Sequence, residues 1–210
     1  KTIGELVRNV KAQGLKHIVI VDDGSRDQTA SVASAQGALV ISHLRNEGKG
    51  RALRTGFEYA LRAQYDGVIT LDGDGQHDPT EIVQLIRAGE RQHAGIVIGD
   101  RMGNGASMPR MRRWTNTFMS GIVSSVARQR IPDSQSGFRF IRREVLAQVP
   151  LRSQRFEIET ELLFGAAARQ WKIVSIPVRS IYDRHQSHIR PLRDAARFLT
   201  VTLRFLIFRR

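Results

Sequence analysis

The chain contains no cysteine in 210 residues, which excludes disulfides and thiolate metal sites and fits a reducing compartment. No apolar run reaches the roughly 20 residues that a membrane span needs, so no segment is expected to cross a bilayer. Aromatic residues are few, 7% of the total, and are scattered rather than interleaved with the basic ones. With no recognised nucleic-acid motif either, a basic nucleic-acid-binding module is a weak reading. Internal repeats, low-complexity tracts and Gly/Ser linkers are also missing, so nothing marks a second globular unit. Carboxylates are in deficit: 20 Asp and Glu face 33 Lys and Arg, leaving a net charge of +13. Such a charge calls for an anionic partner, and nucleic acid, membrane lipid and phosphorylated substrates all qualify.

What is present is a regular alternation. Leu6, Val7 and Val10 lie at helical spacing and Gly14 is a natural stop, giving a helix over residues 3–13. His17 to Val21 reads as a buried strand ending in Asp22-Asp23-Gly24-Ser25. A helix at 29–36, a strand at 38–42, a loop at 45–50, a helix at 51–63 and a strand at 67–71 follow. Pro79 opens a helix reaching Arg91, and Ile96 to Gly99 forms a further strand. This spacing predicts an α/β fold, an open and mainly parallel sheet with helices on both faces. Ligands of such sheets bind beyond the carboxyl ends of the strands.

By that rule the acidic residues gather on one rim. Asp22 and Asp23 end one strand, Asp72-Gly73-Asp74-Gly75-Gln76-His77 follows another, and Asp100-Arg101 ends a third. In extended chain Asp72 and Asp74 would share a face, and the glycines let backbone approach a ligand closely. Their hard oxygen donors suit Mg2+ or Mn2+, ions often held by one or two carboxylates plus substrate phosphates. A lone Asp-x-Asp is more often a plain turn; three acidic strand ends on one rim favour a site.

Further along, Met111, Trp114, Phe118, Ile122 and Val126 recur at three- and four-residue steps, predicting an amphipathic helix over 108–129. Arg110, Arg112 and Arg113 at its leading end oppose the macrodipole, and either face an anion or form a solvated cluster. Asp133 to Arg139 is a turn entering another strand, Glu157, Glu159 and Glu161 precede helical Leu162-Leu163-Phe164, and Ile173 to Val178 is a last strand.

Together these segments resemble the family 2 glycosyltransferases, and within them the polyprenyl-phosphate sugar synthases of the dolichyl-phosphate mannosyltransferase type. The resemblance rests on Val21-Asp22-Asp23-Gly24-Ser25 with Asp27, Asn46-Glu47-Gly48-Lys49-Gly50 with Ala52 and Gly56, Asp72-Gly73-Asp74-Gly75-Gln76-His77, Gly99-Asp100-Arg101, and Asp133 with Ser136-Gly137-Phe138-Arg139. It implies a GT-A (Rossmann-like) fold, a GDP- or UDP-sugar donor and a divalent metal. It places Asp22 and Asp23 near the base and ribose, and Asp72 and Asp74 at the metal and diphosphate with Gln76 beside them. Arg101 and Arg139 would face phosphates of donor or acceptor, and Asp74, Arg101 and Arg139 carry the catalytic expectation. Gly48-Lys49-Gly50 lacks P-loop spacing and reads as a loop supporting the donor site, or as a plain helix entry. Members of the family begin with a central strand bearing a Pro-x-Tyr-Asn-Glu-like motif; it is absent here, so that strand is expected to be missing. The segment Tyr182 to Pro191 resembles a bacterial Ser-His-x-Arg-Pro variant, with Ser187 and His188 as candidates at an acceptor phosphate. His77, His185 and His188 are candidate metal or phosphate contacts, although any one taken alone is more often a surface or structural histidine.

A sugar hydroxyl must lose a proton as it attacks and needs a base, whereas a lipid monophosphate is already anionic. It needs orientation and charge screening, which arginine forks and a metal on the departing diphosphate supply. The expected reaction is therefore inverting, metal-dependent transfer from a nucleotide-sugar to a polyprenyl phosphate of dolichyl or undecaprenyl type. The rival is transfer to a sugar hydroxyl or another lipid, with Glu157, Glu159 or Glu161 as base. Residues 1–191 are expected to form the GT-A domain and 192–210 an amphipathic helix. In the latter, Arg193, Arg197, Thr200 and Arg204 fall on one stripe and apolar residues cover the rest, which suits docking on the anionic cytoplasmic face of a membrane.

Overall fold

The computed structural model describes residues 3–103, 108–179, 181, 198, 200–203 and 205–207. Helix α1 (Ile3–Ala12) buries Val7 and Val10 on one side, while strand β1 (Val19–Asp22) runs parallel to β2 (Leu39–Ser42) across helix α2 (Thr29–Ala35). Helix α3 (Lys49–Arg62) packs on β1 and on β3 (Gly67–Thr70). A 3-10 turn at Pro79–Glu81, whose backbone is capped by the Asp78 carboxylate, leads into α4 (Ile82–Arg91) and then β4 (Ile96–Asp100). Helix α5 (Arg110–Ala127), strand β5 (Arg139–Arg142), helices α6 (Arg143–Gln148) and α7 (Glu157–Ala168) and strand β6 (Ile173–Pro177) follow.

The described strands form two sheets, β1-β2 and β3-β5-β4-β6. β4 and β6 are parallel, as are β1 and β2, and β5 runs antiparallel to both its neighbours. The alternation legible in the sequence thus holds except at β5. Its reversal follows from where the chain enters it: after α5 the chain returns to the carboxyl end of β4, where Asp133 meets Arg101, so a strand starting there must run back. Among the described residues β1-β2 is not hydrogen-bonded to the larger sheet, and all four residues of β3 are only half buried.

Helices cover both faces of the larger sheet. Ile96 and Ile98 of β4 join a cluster with Val123, Ile141, Leu163 and Phe164 on one side, while Val97 joins Val10, Ile82, Leu85 and Phe138 on the other. That division is the two-residue period of a strand, and a strand covered on both faces reads as an unbroken apolar run. The described part of the C-terminal helix packs on the first cluster through Phe198, Val201 and Phe205, with Phe205 stacked on Phe164 at 4.9 Å. Leu203, Leu206 and Ile207 remain exposed, and Arg193, Arg197 and Arg204 lie outside the described residues.

One helix turns part of its apolar stripe outward. The apolar stripe of α5 begins on the outside: Met111, Trp114 and Phe118 are 75%, 67% and 59% exposed, while Asn116, Ser120, Val123 and Ala127 are buried. The rotation is fixed by polar pairing, since Ser120 Oγ accepts the Ser134 N–H at 2.8 Å and donates to Ser134 Oγ at 3.1 Å. A buried hydroxyl with both roles satisfied is not a burial penalty.

Candidate active site

Two carboxylates from different sheets flank the start of α3. Asp23, just past β1, accepts the N–H of Glu47 at 2.9 Å and of Gly48 at 2.7 Å, and His43 Nδ1 lies 2.7 Å from the same carboxylate. His43 Nε2 in turn reaches Thr55 Oγ1 at 3.0 Å. Burial alone would raise the Asp23 pKa, but the Glu47 N–H, His43 and the Gly48 N–H outweigh it and hold the carboxyl below its ordinary value. The turn closes this tightly because Gly24, at φ +76°, lies against the backbone of Arg45 and Asn46, where a Cβ would come within 2.7 Å. Asp22 is buried and accepts the Ser25 N–H at 3.2 Å, closing the same turn.

One residue beyond Gly48, Lys49 starts α3 and its ammonium lies 2.7 Å from Asp72 Oδ1 and 3.1 Å from Glu159 Oε1. Lys49 therefore both enters a helix and joins the site. Burial works against the Lys49 ammonium, but Glu159 and Asp72 outweigh it and raise its pKa, so it stays cationic. Burial likewise pushes Asp72 up, and Lys49 and His77 reverse this, holding its carboxyl well below the usual range. His77 is almost fully buried, with Nε2 3.7 Å from Asp72 Oδ2 and its ring against Phe138. Gly137 is held against Asp72 by Thr70 Oγ1, which donates to the Gly137 carbonyl at 2.7 Å; a Cβ there would lie 2.5 Å from Asp72 Oδ2.

Asp74 differs from Asp72 in exposure and partners: it is exposed and accepts the Gln76 N–H at 3.0 Å. The expectation that the pair shares a face is corrected because β3 ends at Thr70, and residues 73–75 form a turn to which strand parity does not apply. Gln76 stands beside this turn, its carbonyl accepting the Ile181 N–H at 3.0 Å. Ser187, His188 and His185 lie outside the described residues.

Two arginines sit differently from their expected roles. The Arg101 guanidinium closes on Asp133, with Nε at 2.8 Å and Nη2 at 3.0 Å, and both residues are buried. Arg139 is 1% exposed, and its fork donates to the carbonyls of Ser136, Glu159 and Ser134 at 2.8, 3.0 and 2.8 Å. Neither fork is presented to an incoming phosphate. Arg139 instead ties the Ser134–Ser136 turn to the first turn of α7, and so positions Gly137 and Glu159 around Asp72. Asp100 accepts the Met102 N–H at 2.8 Å, and burial pushes its carboxyl up.

Of the three glutamates, Glu159 joins the site, while Glu161 accepts the N–H groups of Arg152 and Ser153. His43 carried no signal in the sequence, and neither did the pairing of Arg101 with Asp133, since each depends on a contact between distant segments. Asp74 on the glycine-rich turn and Asp72 just before it offer the hard oxygen donors that suit a Mg2+ or Mn2+ ion, which keeps waters and takes further ligands from phosphate. Among the described residues no group of three His, Cys, Asp or Glu side chains cages a metal by itself.

Comparison with known proteins agrees with this layout. The Glycosyl transferase family 2 model matches residues 1–149. An uncharacterized protein of Methanocaldococcus jannaschii is 34% identical over 190 residues, covering 88% of this chain and 78% of its own length. The UDP-N-acetylglucosamine–dolichyl-phosphate N-acetylglucosaminyltransferase of Methanococcus voltae is 29% identical over 232 residues, covering 100% of this chain and 89% of that protein. Among solved structures, glucosyl-3-phosphoglycerate synthase of Mycobacterium tuberculosis superposes with a TM-score of 0.70 at 21% identity, over 99% of this chain and 75% of that one. That enzyme has also been crystallised with Mn2+ and UDP. The acidic strand ends, the GT-A fold they sit on and the match over more than half of its length agree: this chain belongs to glycosyl transferase family 2 and is a glycosyltransferase.

Proposed function

We propose that this glycosyltransferase moves a sugar from a nucleotide-sugar to a polyprenyl phosphate, with inversion at the anomeric carbon and with Mg2+ or Mn2+ held by Asp72 and Asp74. The observation that carries the reading is the Lys49, Asp72 and Glu159 cluster. It brings a cation and two carboxylates together beyond the end of β3, and it ties Glu159 to a lysine instead of leaving it as a free base. A lipid phosphate needs no base, because its oxygen is already anionic when it attacks. As that oxygen bonds to the anomeric carbon, the sugar's bond to the diphosphate breaks and the electron pair leaves with the diphosphate. The divalent ion, when bound, supplies Lewis-acid stabilisation of the departing group.

The residues of this chain have separate tasks in that scheme. Asp22 and Asp23 hold the nucleoside end, the latter fixed by the 47–48 backbone. Lys49 screens charge beside Asp72, and Arg139 holds the frame from beneath. The lipid acceptor draws on the Methanococcus voltae relative, which is named for dolichyl phosphate and matches the whole chain. The donor class draws on that name and on the UDP complex of the mycobacterial structure. A place at a membrane surface follows from such an acceptor, and the cytoplasmic face is the side proposed; among the described residues no helix is long and apolar enough to cross a bilayer.

A second reading is favoured by Glu159, whose carboxylate lies in the site and could serve as base for a hydroxyl acceptor. Transfer of labelled sugar from UDP- and GDP-sugars separates the two. With Mn2+ in detergent, a short-chain polyprenyl phosphate should be glycosylated and the matching free polyprenol or a sugar hydroxyl should not. Preferential glycosylation of a hydroxyl, abolished by Glu159→Gln, would establish the second reading instead.

A further inference from the structure

The outer face of α5 has no use in the chemistry above, and its composition is unusual for a solvated helix. Met111, Trp114 and Phe118, at steps of three and four, are all more than half exposed, and the Trp114 and Phe118 rings stack at 5.9 Å with only 8° between their planes. A shallow groove of about 430 Å³ lined by Thr117, Phe118, Gly121, Ile122, Ser125 and Val126 continues the same surface. Soluble helices turn such a stripe to the core. Here the core side carries Asn116 and Ser120, with Ser120 paired to Ser134, so the outward placement is built in.

The charge along this stretch of chain has one sign. Between Asp100 and Asp133 there is no acidic residue, and the stretch carries Arg101, Arg110, Arg112, Arg113, Arg128 and Arg130. Arg101 is spent internally on Asp133, whereas Arg110, Arg113, Arg128 and Arg130 are exposed. Exposed apolar side chains, two of them aromatic, flanked along the chain by arginines and by no carboxylate are the composition of a helix that lies in a bilayer interface. We infer that α5 is a membrane-docking face, with Met111, Trp114 and Phe118 entering the headgroup boundary of an anionic leaflet and the arginines meeting lipid phosphates. A second copy of the chain suits the face poorly, because pairing it with itself sets arginine against arginine. The helix follows the carboxyl end of β4, the end of the sheet at which the site lies. Docking therefore rests on the lipid-acceptor reading for its purpose, though not for its chemistry.

The test uses vesicles that contain no polyprenyl phosphate, so that docking and acceptor use fail separately. The full chain is sedimented with phosphatidylcholine vesicles, with and without phosphatidylglycerol. Met111→Ser/Trp114→Ser/Phe118→Ser should lower partitioning onto anionic vesicles roughly tenfold or more. Arg110→Gln/Arg113→Gln should weaken it on anionic vesicles and leave neutral ones unaffected. As these side chains are exposed, thermal melts of the variants should match the parent. In the unmodified protein, brominated lipid should quench Trp114 emission. Partitioning of the triple variant within about twofold of the parent, absence of quenching, or a dimer abolished by the triple variant would each overturn the inference. The triple variant should still glycosylate a detergent-dispersed polyprenyl phosphate. If the parent docks but cannot do so, the acceptor reading falls and the docking face stands.

Discussion

Asp23 and Asp72 end strands of different sheets and are reached by neighbouring residues, Gly48 and Lys49, yet they are stabilised in different ways. Asp23 is held by two backbone N–H groups and a histidine that is itself anchored to Thr55. Asp72 is held by the side chains of Lys49 and His77. Backbone donors cannot leave without unfolding the loop, whereas a lysine ammonium can swing away when another cation arrives. Asp23 is thus part of the architecture, and Asp72 is open to exchange. On this reading Asp23 sets the shape of the nucleoside end, and Asp72 lies where charge is redistributed during the reaction.

Substitutions break that comparison in graded ways. The largest effect is expected for Asp72→Asn, which removes a proposed metal ligand and also strands Lys49 on Glu159 alone. Turnover with Mn2+ should fall roughly 10³-fold, in the range of losing a major electrostatic element. The melting temperature should also drop by a few degrees, about 1 kcal/mol or more in a domain of this size. Asp74→Asn comes next. Its described partner is one backbone N–H, which the Asn side-chain oxygen retains, so turnover should fall roughly 10²-fold with an unchanged melt. Loss of stability in both variants alike would erase the distinction drawn between the two aspartates.

Asp23→Ala sharpens the other side of the comparison. It leaves the Glu47 and Gly48 N–H groups without their acceptor, and nucleotide affinity should weaken roughly tenfold, about 1.4 kcal/mol. The ratio of affinities with and without Mn2+ should stay the same; titration calorimetry reads both numbers. The smallest effect is expected in acid. Because the folded-state pKa of Asp23 lies below 3.8, its contribution to stability is complete above that pH and is lost as pH falls through the folded value. His43→Ala removes one of the groups that lower it, so acid unfolding followed by circular dichroism should begin at a higher pH. An unshifted acid limb would mean that the backbone N–H groups suffice.

Strand ends were legible in the sequence because an apolar run followed by Asp and Gly is a local signal. β1, β3 and β4 with Asp22, Asp23, Asp72 and Asp100 could be placed on that basis. Partners were not legible, because they depend on distant contacts: Lys49 with Glu159, Arg101 with Asp133, and Arg139 with three carbonyls. A sequence shows that arginines stand near acidic strand ends. Whether a fork opens to a ligand or closes on the protein is decided by packing. The rotation of α5 was hidden for a related reason. Periodicity reveals two unlike faces without saying which is buried, and the pairing of Ser120 with Ser134 turns the polar one inward. The reversed β5 and the short α6 likewise follow from how the loop after α5 returns to the rim.

The most direct test of the account is calorimetric titration of UDP- and GDP-sugars into the full chain with and without Mn2+, repeated on Asp74→Asn. The account predicts that one donor binds roughly tenfold or more tightly with the metal and that Asp74→Asn loses this gain while keeping the metal-free affinity. Equal affinity with and without Mn2+ in the unmodified chain would contradict a metal-held diphosphate at Asp72 and Asp74.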